Sequence, residues 1–241
     1  VFDTCNPGGA EVLQQALNDK YHGLRSYTIS KLNLTYSNIK GVLLPALVQL
    51  AKQDPSSLVR AAALQQLGEL KDAQYAPLFE AATKDKSYGV EAAGLEGLAT
   101  LDLDHAYTLA KQMESDTKGK LVNAIAGIYA KKGNAADIGF IAAKFDETGG
   151  QDKLNAAFDY LGFLSKVNNT PAIIKGVDQV KAMTRQFNNP QVNTYISNWL
   201  EEISKSKSQE ANTAAGADKD ELRKQSEYMQ KASEEIKKAT D

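Results

Sequence analysis

Cysteine occurs once in the 241 residues, at Cys5, so no internal disulfide and no cysteine-built structural zinc site can form. A catalytic thiolate needs pKa-lowering neighbours, and Cys5 has no histidine or basic cluster beside it in sequence. Histidine is nearly as scarce: His22 and His105 stand far apart, and neither belongs to an H-x-x-x-H pair. Phe occurs seven times, Trp once and proline six times, which suits helices better than a sandwich. No run approaches 18 apolar residues, so nothing in the sequence spans a bilayer as a helix. No basic segment leads into an apolar one, so no signal peptide is read. Charge of one sign is also missing. The formal net charge of −2 leaves no global field toward nucleic acid or an anionic membrane, and neither is expected as a partner.

Phosphate loops of the G-x-x-x-x-G-K-[ST] type and G-x-S-x-G elbows are absent, and the Gly-Gly pairs at 8–9 and 149–150 read as breakers. Asp102 and Asp104 flank Leu103 and read as helix caps. His22 reads as a turn residue and His105 as a helix-start residue, in surface or capping roles. Sequons at Asn33 and Asn168 are as many as chance supplies. The sequence therefore nominates no catalytic, cofactor-binding or metal-ligating residue.

What is present is helical periodicity. Residues 54–70 read as one helix with its start signal: Asp54 as N-cap, Pro55 at the first helical position, then a stripe of Leu58, Val59, Ala62, Ala63, Leu67 and Leu70. Similar stripes fall at 11–17, 24–34, 39–51, 75–83, 88–101, 105–113, 118–131, 135–145, 151–164, 171–187 and 190–204. No stretch sustains the two-residue alternation of strands.

The helices recur in pairs. Asp19, Asp54, Asp85 and Asp116 are spaced by 35, 31 and 31 residues. Ten positions after each stand Ile29, Leu64, Leu95 and Ala126; thirteen after each stand Leu32, Leu67, Leu98 and Tyr129. Five after each stand Leu24, Val59, Val90 and Leu121. Equivalent apolar groups thus fall on one face of every second helix. A hairpin cannot bury such faces alone, so neighbours must stack. The expected fold is all-α, an α-solenoid of about six helix pairs over residues 10–204.

Six residues after the first two aspartates stand Arg25 and Arg60. This Asp/Arg spacing resembles the HEAT-repeat pattern, in which such side chains form a ladder between repeats. Glu91 and Val122 occupy the next two positions, so a ladder is expected only at the N-terminal end.

Residues 1–9 read as a linker or the end of a preceding unit, and with no initial Met the chain is expected to be an excised fragment. From Lys205 the text turns rich in Ser, Lys and Ala, so residues 205–241 are expected as a flexible linker and a loosely attached, solvated helix. Leu222, Met229 and Ile236, spaced by sevens, offer a weak coiled-coil seam as the alternative. The tail has eight basic and eight acidic residues and is no electrostatic arm.

Residues 16–25 (ALNDKYHGLR), 50–61 (LAKQDPSSLVRA), 78–88 (LFEAATKDKSY) and 124–130 (AIAGIYA) look like the C-terminal region of bacterial zinc aminopeptidases of the alanyl-aminopeptidase family. The likeness spans most of 10–203. It implies a non-catalytic C-terminal helical domain that packs beside a catalytic domain of the same polypeptide and can limit peptide access. The family's H-E-x-x-H motif and downstream Glu ligand are not in this chain, so zinc belongs to the suspected parent and no ligand is carried over. The resemblance implies a bacterial source and favours a periplasmic or exported location over the cytoplasm. The alternatives are a free-standing protein-interaction scaffold that binds peptides or another protein, and a nucleic-acid-processing solenoid.

Overall fold

The computed structural model describes residues 7–150 and 152–239. Over these residues the chain is all-α: thirteen α-helices, two short 3-10 turns and no strand. Two compact units divide it, Val1–Ile128 and Tyr129–Asp241.

In the first unit, α1 (Pro7–Leu17) pairs with α2 (His22–Ser30), α3 (Ser37–Gln53) with α4 (Ser57–Glu69), and α5 (Ala76–Ala82) with α6 (Tyr88–Leu101). The second helices lie side by side, α2 on α4 and α4 on α6, while α1 packs on α3. Then α7 (Leu103–Met113) packs on α6, and α8 (Lys120–Lys132) follows. This is solenoid stacking, and the repeated offsets show why it forms. Ile29, Leu64, Leu95 and Ala126 are all fully buried, as are Leu67 and Tyr129, with Leu32 and Leu98 nearly so. Small residues set the spacing. A Cβ on Gly68 would lie 3.6 Å from the Cα of Gly97, so the two glycines meet where α4 passes α6.

Two local expectations fail. The helix of residues 54–70 starts at Ser57 with Ser56 as the N-cap residue, and Asp54 instead ends α3. Its carboxylate is drawn away by Arg25, as described below. Leu58 is exposed and Ala62 only partly covered, so the buried stripe runs through Val59, Ala63, Leu64 and Leu67. Pro45 lies inside α3, which runs without a break from Ser37.

In the second unit, Asn134 and Asp137 form a capping box: the Ala136 N–H donates to Asn134 Oδ1 at 2.9 Å and the Asn134 N–H to Asp137 Oδ2 at 2.8 Å. The chain continues as α9 (Ile138–Glu147), α10 (Asp152–Leu164), α11 (Thr170–Phe187), α12 (Pro190–Thr213) and α13 (Gly216–Lys238). Asn169 and Asn189 cap α11 and α12 through their side-chain oxygens, where a proline in the first turn needs no donor of its own. Tyr160, Leu161, Phe163, Val177, Ile196 and Leu200 form the core.

The tail corrects the sequence reading. Lys205 lies inside α12, which continues to Thr213, and no linker opens there. After Ala214 and Ala215 the chain reverses, and α13 packs against α12 and α11. The seam of Leu222, Met229 and Ile236 is buried. Serines let the two helices approach. Ser204 Oγ donates to the Ser226 carbonyl and Ser226 Oγ to the Ser204 carbonyl, both at 2.9 Å, and Ser233 Oγ donates to the Ser197 carbonyl at 2.9 Å. A hydroxyl that bonds the opposite backbone costs little to bury, which is why a Ser-rich text can still be a packed helix.

Candidate interaction surface

The chemistry-bearing residues do not converge. His22 is exposed at the first residue of α2, with its ring 5.3 Å from that of Tyr21. His105 sits in the first turn of α7; its backbone N–H is capped by Asp102 at 3.0 Å and its Nε2 lies 2.8 Å from Glu80 Oε2. Cys5 lies outside the described residues. Among the described residues no group of three or more His, Cys, Asp or Glu could hold a metal ion. No helix among them is long and apolar enough to cross a membrane.

The ladder is present where the spacing places it. Arg25 Nε and Nη2 each donate at 2.8 Å to the two carboxylate oxygens of Asp54. Arg60 repeats the fork on Asp85, at 3.0 and 2.8 Å. Each arginine also reaches back with Nη1 to a carbonyl six residues earlier: Arg25 to Asp19 at 2.7 Å, Arg60 to Asp54 at 2.8 Å. Each aspartate closes its own loop by accepting the N–H two residues on, Tyr21 for Asp19, Ser56 for Asp54 and Ser87 for Asp85. One side chain thus ties a loop to its own repeat and to the next. The next rung is replaced: Tyr88 Oη donates to Asp116 at 3.0 Å. Glu91 holds the arginine's place in register, and burial, followed by the charges of Asp116 and Asp85, pushes its carboxyl pKa up. These residues tie each repeat to the next.

The first unit carries an open apolar groove of about 920 Å³ between α3 and α5. One wall is a stripe along α3 of Gly41, Leu44, Pro45 and Val48, ending at Lys52; the other is Tyr75, Pro77, Leu78 and Ala81, with Gln74 at its margin. Its origin is geometric. With seven residues against seventeen, α5 is too short to cover the outward stripe of α3. Pro45 has no N–H to give the Gly41 carbonyl, so the exposed turn at Gly41 offers an acceptor at the rim. Sequence reasoning missed this groove. Its one signal was an apolar stripe on each face of residues 39–51, more than a single buried face requires.

Residues 44–128 match the family model for HEAT repeats. The matched segment contains most of α3, all of α4 to α7 and most of α8, so it carries the Arg60–Asp85 rung and nearly all of the groove. This part of the chain is a stack of paired helices similar to HEAT repeats. No curated protein matches the chain.

Proposed function

We propose that the chain is a non-catalytic helical-repeat module that binds protein through the groove between α3 and α5. The observation that carries this reading is the groove itself: a continuous apolar surface left open on a rigid, ladder-braced scaffold. Soluble proteins keep large exposed apolar patches chiefly where something docks, and helical repeats present such surfaces as extended binding faces.

In its finer form the reading makes the chain the C-terminal domain of an exported bacterial zinc aminopeptidase. There it packs beside the catalytic domain and limits peptide access, and the metal is held by that other domain. Support comes from the likeness of residues 16–25, 50–61, 78–88 and 124–130.

The two levels fail separately. Sequencing the gene several hundred codons upstream of Val1 is expected to reveal an H-E-x-x-H motif, and its absence removes the aminopeptidase while leaving the module. Residues 1–241 with added zinc are expected to hydrolyse no aminoacyl-nitroanilide. For the module, peptides selected from a displayed random library on the full chain are expected to lose binding on Leu44→Glu or Leu78→Glu. Undiminished binding to both variants removes the groove as the site.

A further inference from the structure

We infer that the outer edge of α2 docks an amphipathic α-helix from outside this chain, one that brings an arginine to Asp19. The repeat register carries this inference. Five residues after the ladder aspartate, Val59, Val90 and Leu121 are 0 to 1% exposed, whereas Leu24 is 39% exposed. The reason is positional. Helix α4 has a second helix on each side, α2 and α6, whereas among the described helices α2 has only α4. The edge that a neighbour covers on α4 and α6 is therefore open on α2.

The open edge is large and aromatic. Tyr27 stands eight residues after Asp19, where α4 and α6 carry Ala62 and Ala93, and it is 58% exposed. Lys31 reaches over its ring, 5.6 Å from the centroid. Tyr21 folds its ring over Gly23, where an added Cβ would lie 2.6 Å from Tyr21 Cε1. Exposed tyrosines such as Tyr21 and Tyr27 are the residue type enriched at interface centres.

The ladder supplies the second, independent observation. Asp54 holds Arg25 and Asp85 holds Arg60, each by two hydrogen bonds. Asp19 is built in the same way: its Oδ1 accepts the Tyr21 N–H at 2.7 Å and its carbonyl accepts Arg25 Nη1. Yet among the described residues no cation stands within ion-pair distance of its carboxylate, and the Arg25 charge reaches it only from farther off. The missing fork defines the occupant as a helix carrying arginine at the rung. In a second copy Arg25 and Arg60 are already held by Asp54 and Asp85, so neither is free to supply the fork.

The test builds the occupant in cis. The full chain is produced with an extra copy of residues 7–36 ahead of residue 7, so that the added Arg25 can reach the original Asp19. The melting temperature is expected to rise by several degrees, and trypsin is expected to cut the added residues roughly tenfold more slowly than a flexible extension. Leu24→Glu in the original copy is expected to abolish both effects. In the 241-residue chain the same substitution is expected to move the melting temperature by less than it does in the extended chain, because Leu24 is 39% exposed there. Asp19→Asn keeps the Tyr21 contact and is expected to reduce the rise and remove its salt dependence. An unchanged melting temperature with rapid cleavage of the extension overturns the inference. So does a dimer of the 241-residue chain, seen by sedimentation, that Leu24→Glu dissolves, because the occupant is then a second copy.

Discussion

Arg25 and Asp54, 29 residues apart in sequence, meet as a forked pair with both bonds at 2.8 Å and both side chains largely out of water. The hydrogen bond to Asp54 raises the guanidinium pKa against the opposing effect of burial, so the arginine stays charged. Arg60 and Asp85 make the same fork in a wetter place. Arg25→Met keeps the aliphatic stem but strands a buried carboxylate. It is expected to cost about 3–5 kcal/mol, and Arg60→Met about 1–2 kcal/mol. Urea unfolding of the two variants, with the Arg25→Met/Asp54→Asn double variant closing a cycle, checks this ranking. Equal costs would mean that burial does not set the strength of the rungs.

Gly97 and Gly68 both lie on faces where α4 and α6 meet, yet they respond differently to a methyl group. At Gly97 a Cβ would lie 2.5 Å from Phe79 Cδ1, and Phe79 is fully buried with nowhere to go. Gly97→Ala is expected to destabilise by about 1–3 kcal/mol through overpacking. At Gly68 the nearest atom is 3.6 Å away, an ordinary contact. There the helix gains propensity, and Gly68→Ala is expected to stabilise by up to about 1 kcal/mol. Thermal melts of the two variants should move in opposite directions.

The parts of this architecture that could be read in the sequence are those that repeat. Ile29, Leu64, Leu95 and Ala126 announce the buried face because the same physical demand recurs at each unit, and Arg25 and Arg60 announce the ladder for the same reason. Asp54 carries two readings in the sequence, N-cap and ladder residue, and only the ladder holds. A lone Asp before Ser57 reads as a cap, and the competing partner lies 29 residues away. Leu58 belongs to an apolar stripe in sequence but faces solvent, since a stripe does not say which of its edges a neighbour covers. The groove depends on the length of α5 relative to α3, a relation between elements that no periodicity records. The tail reads as linker because Ser and Ala taken singly suit loops, and only the partner helix turns Ser204 and Ser226 into a seam.

That seam gives its own test. Met229 is fully buried on α13, while Lys231, two residues on, is exposed. Met229→Ala is expected to cost about 2–5 kcal/mol, and Lys231→Ala nothing measurable. A loosely attached helix would show no loss from either. Chemical unfolding followed by far-ultraviolet circular dichroism separates the two cases.

Tyr160 should make the second unit sensitive to alkali. Its ring is buried, its hydroxyl donates to Gln179 Oε1 at 2.9 Å, and burial, with a smaller push from the Asp146 charge, raises the phenol to about 12. An unfolded tyrosine ionises near 10. Between those two values the unfolded chain has lost the proton that the folded chain keeps, so the unfolded state binds fewer protons and stability falls as pH rises. The contribution is complete below about pH 10 and is lost on the way to pH 12, a swing of about 2–3 kcal/mol. Lys207 opposes it. Burial lowers its ammonium pKa, so the folded chain sheds that proton first and stability gains as pH climbs toward the ordinary lysine value. The two effects meet near pH 10, and above it Tyr75 and Tyr228, also raised by burial, act in the same direction as Tyr160, so a variant is needed to isolate its share. Tyr160→Phe removes the titrating group while keeping the ring. Its unfolding free energy, measured in urea from pH 9 to 12, is expected to fall less steeply above pH 10.5 than that of the parent chain. Parallel slopes would place the Tyr160 proton in the same equilibrium in both states and refute its burial.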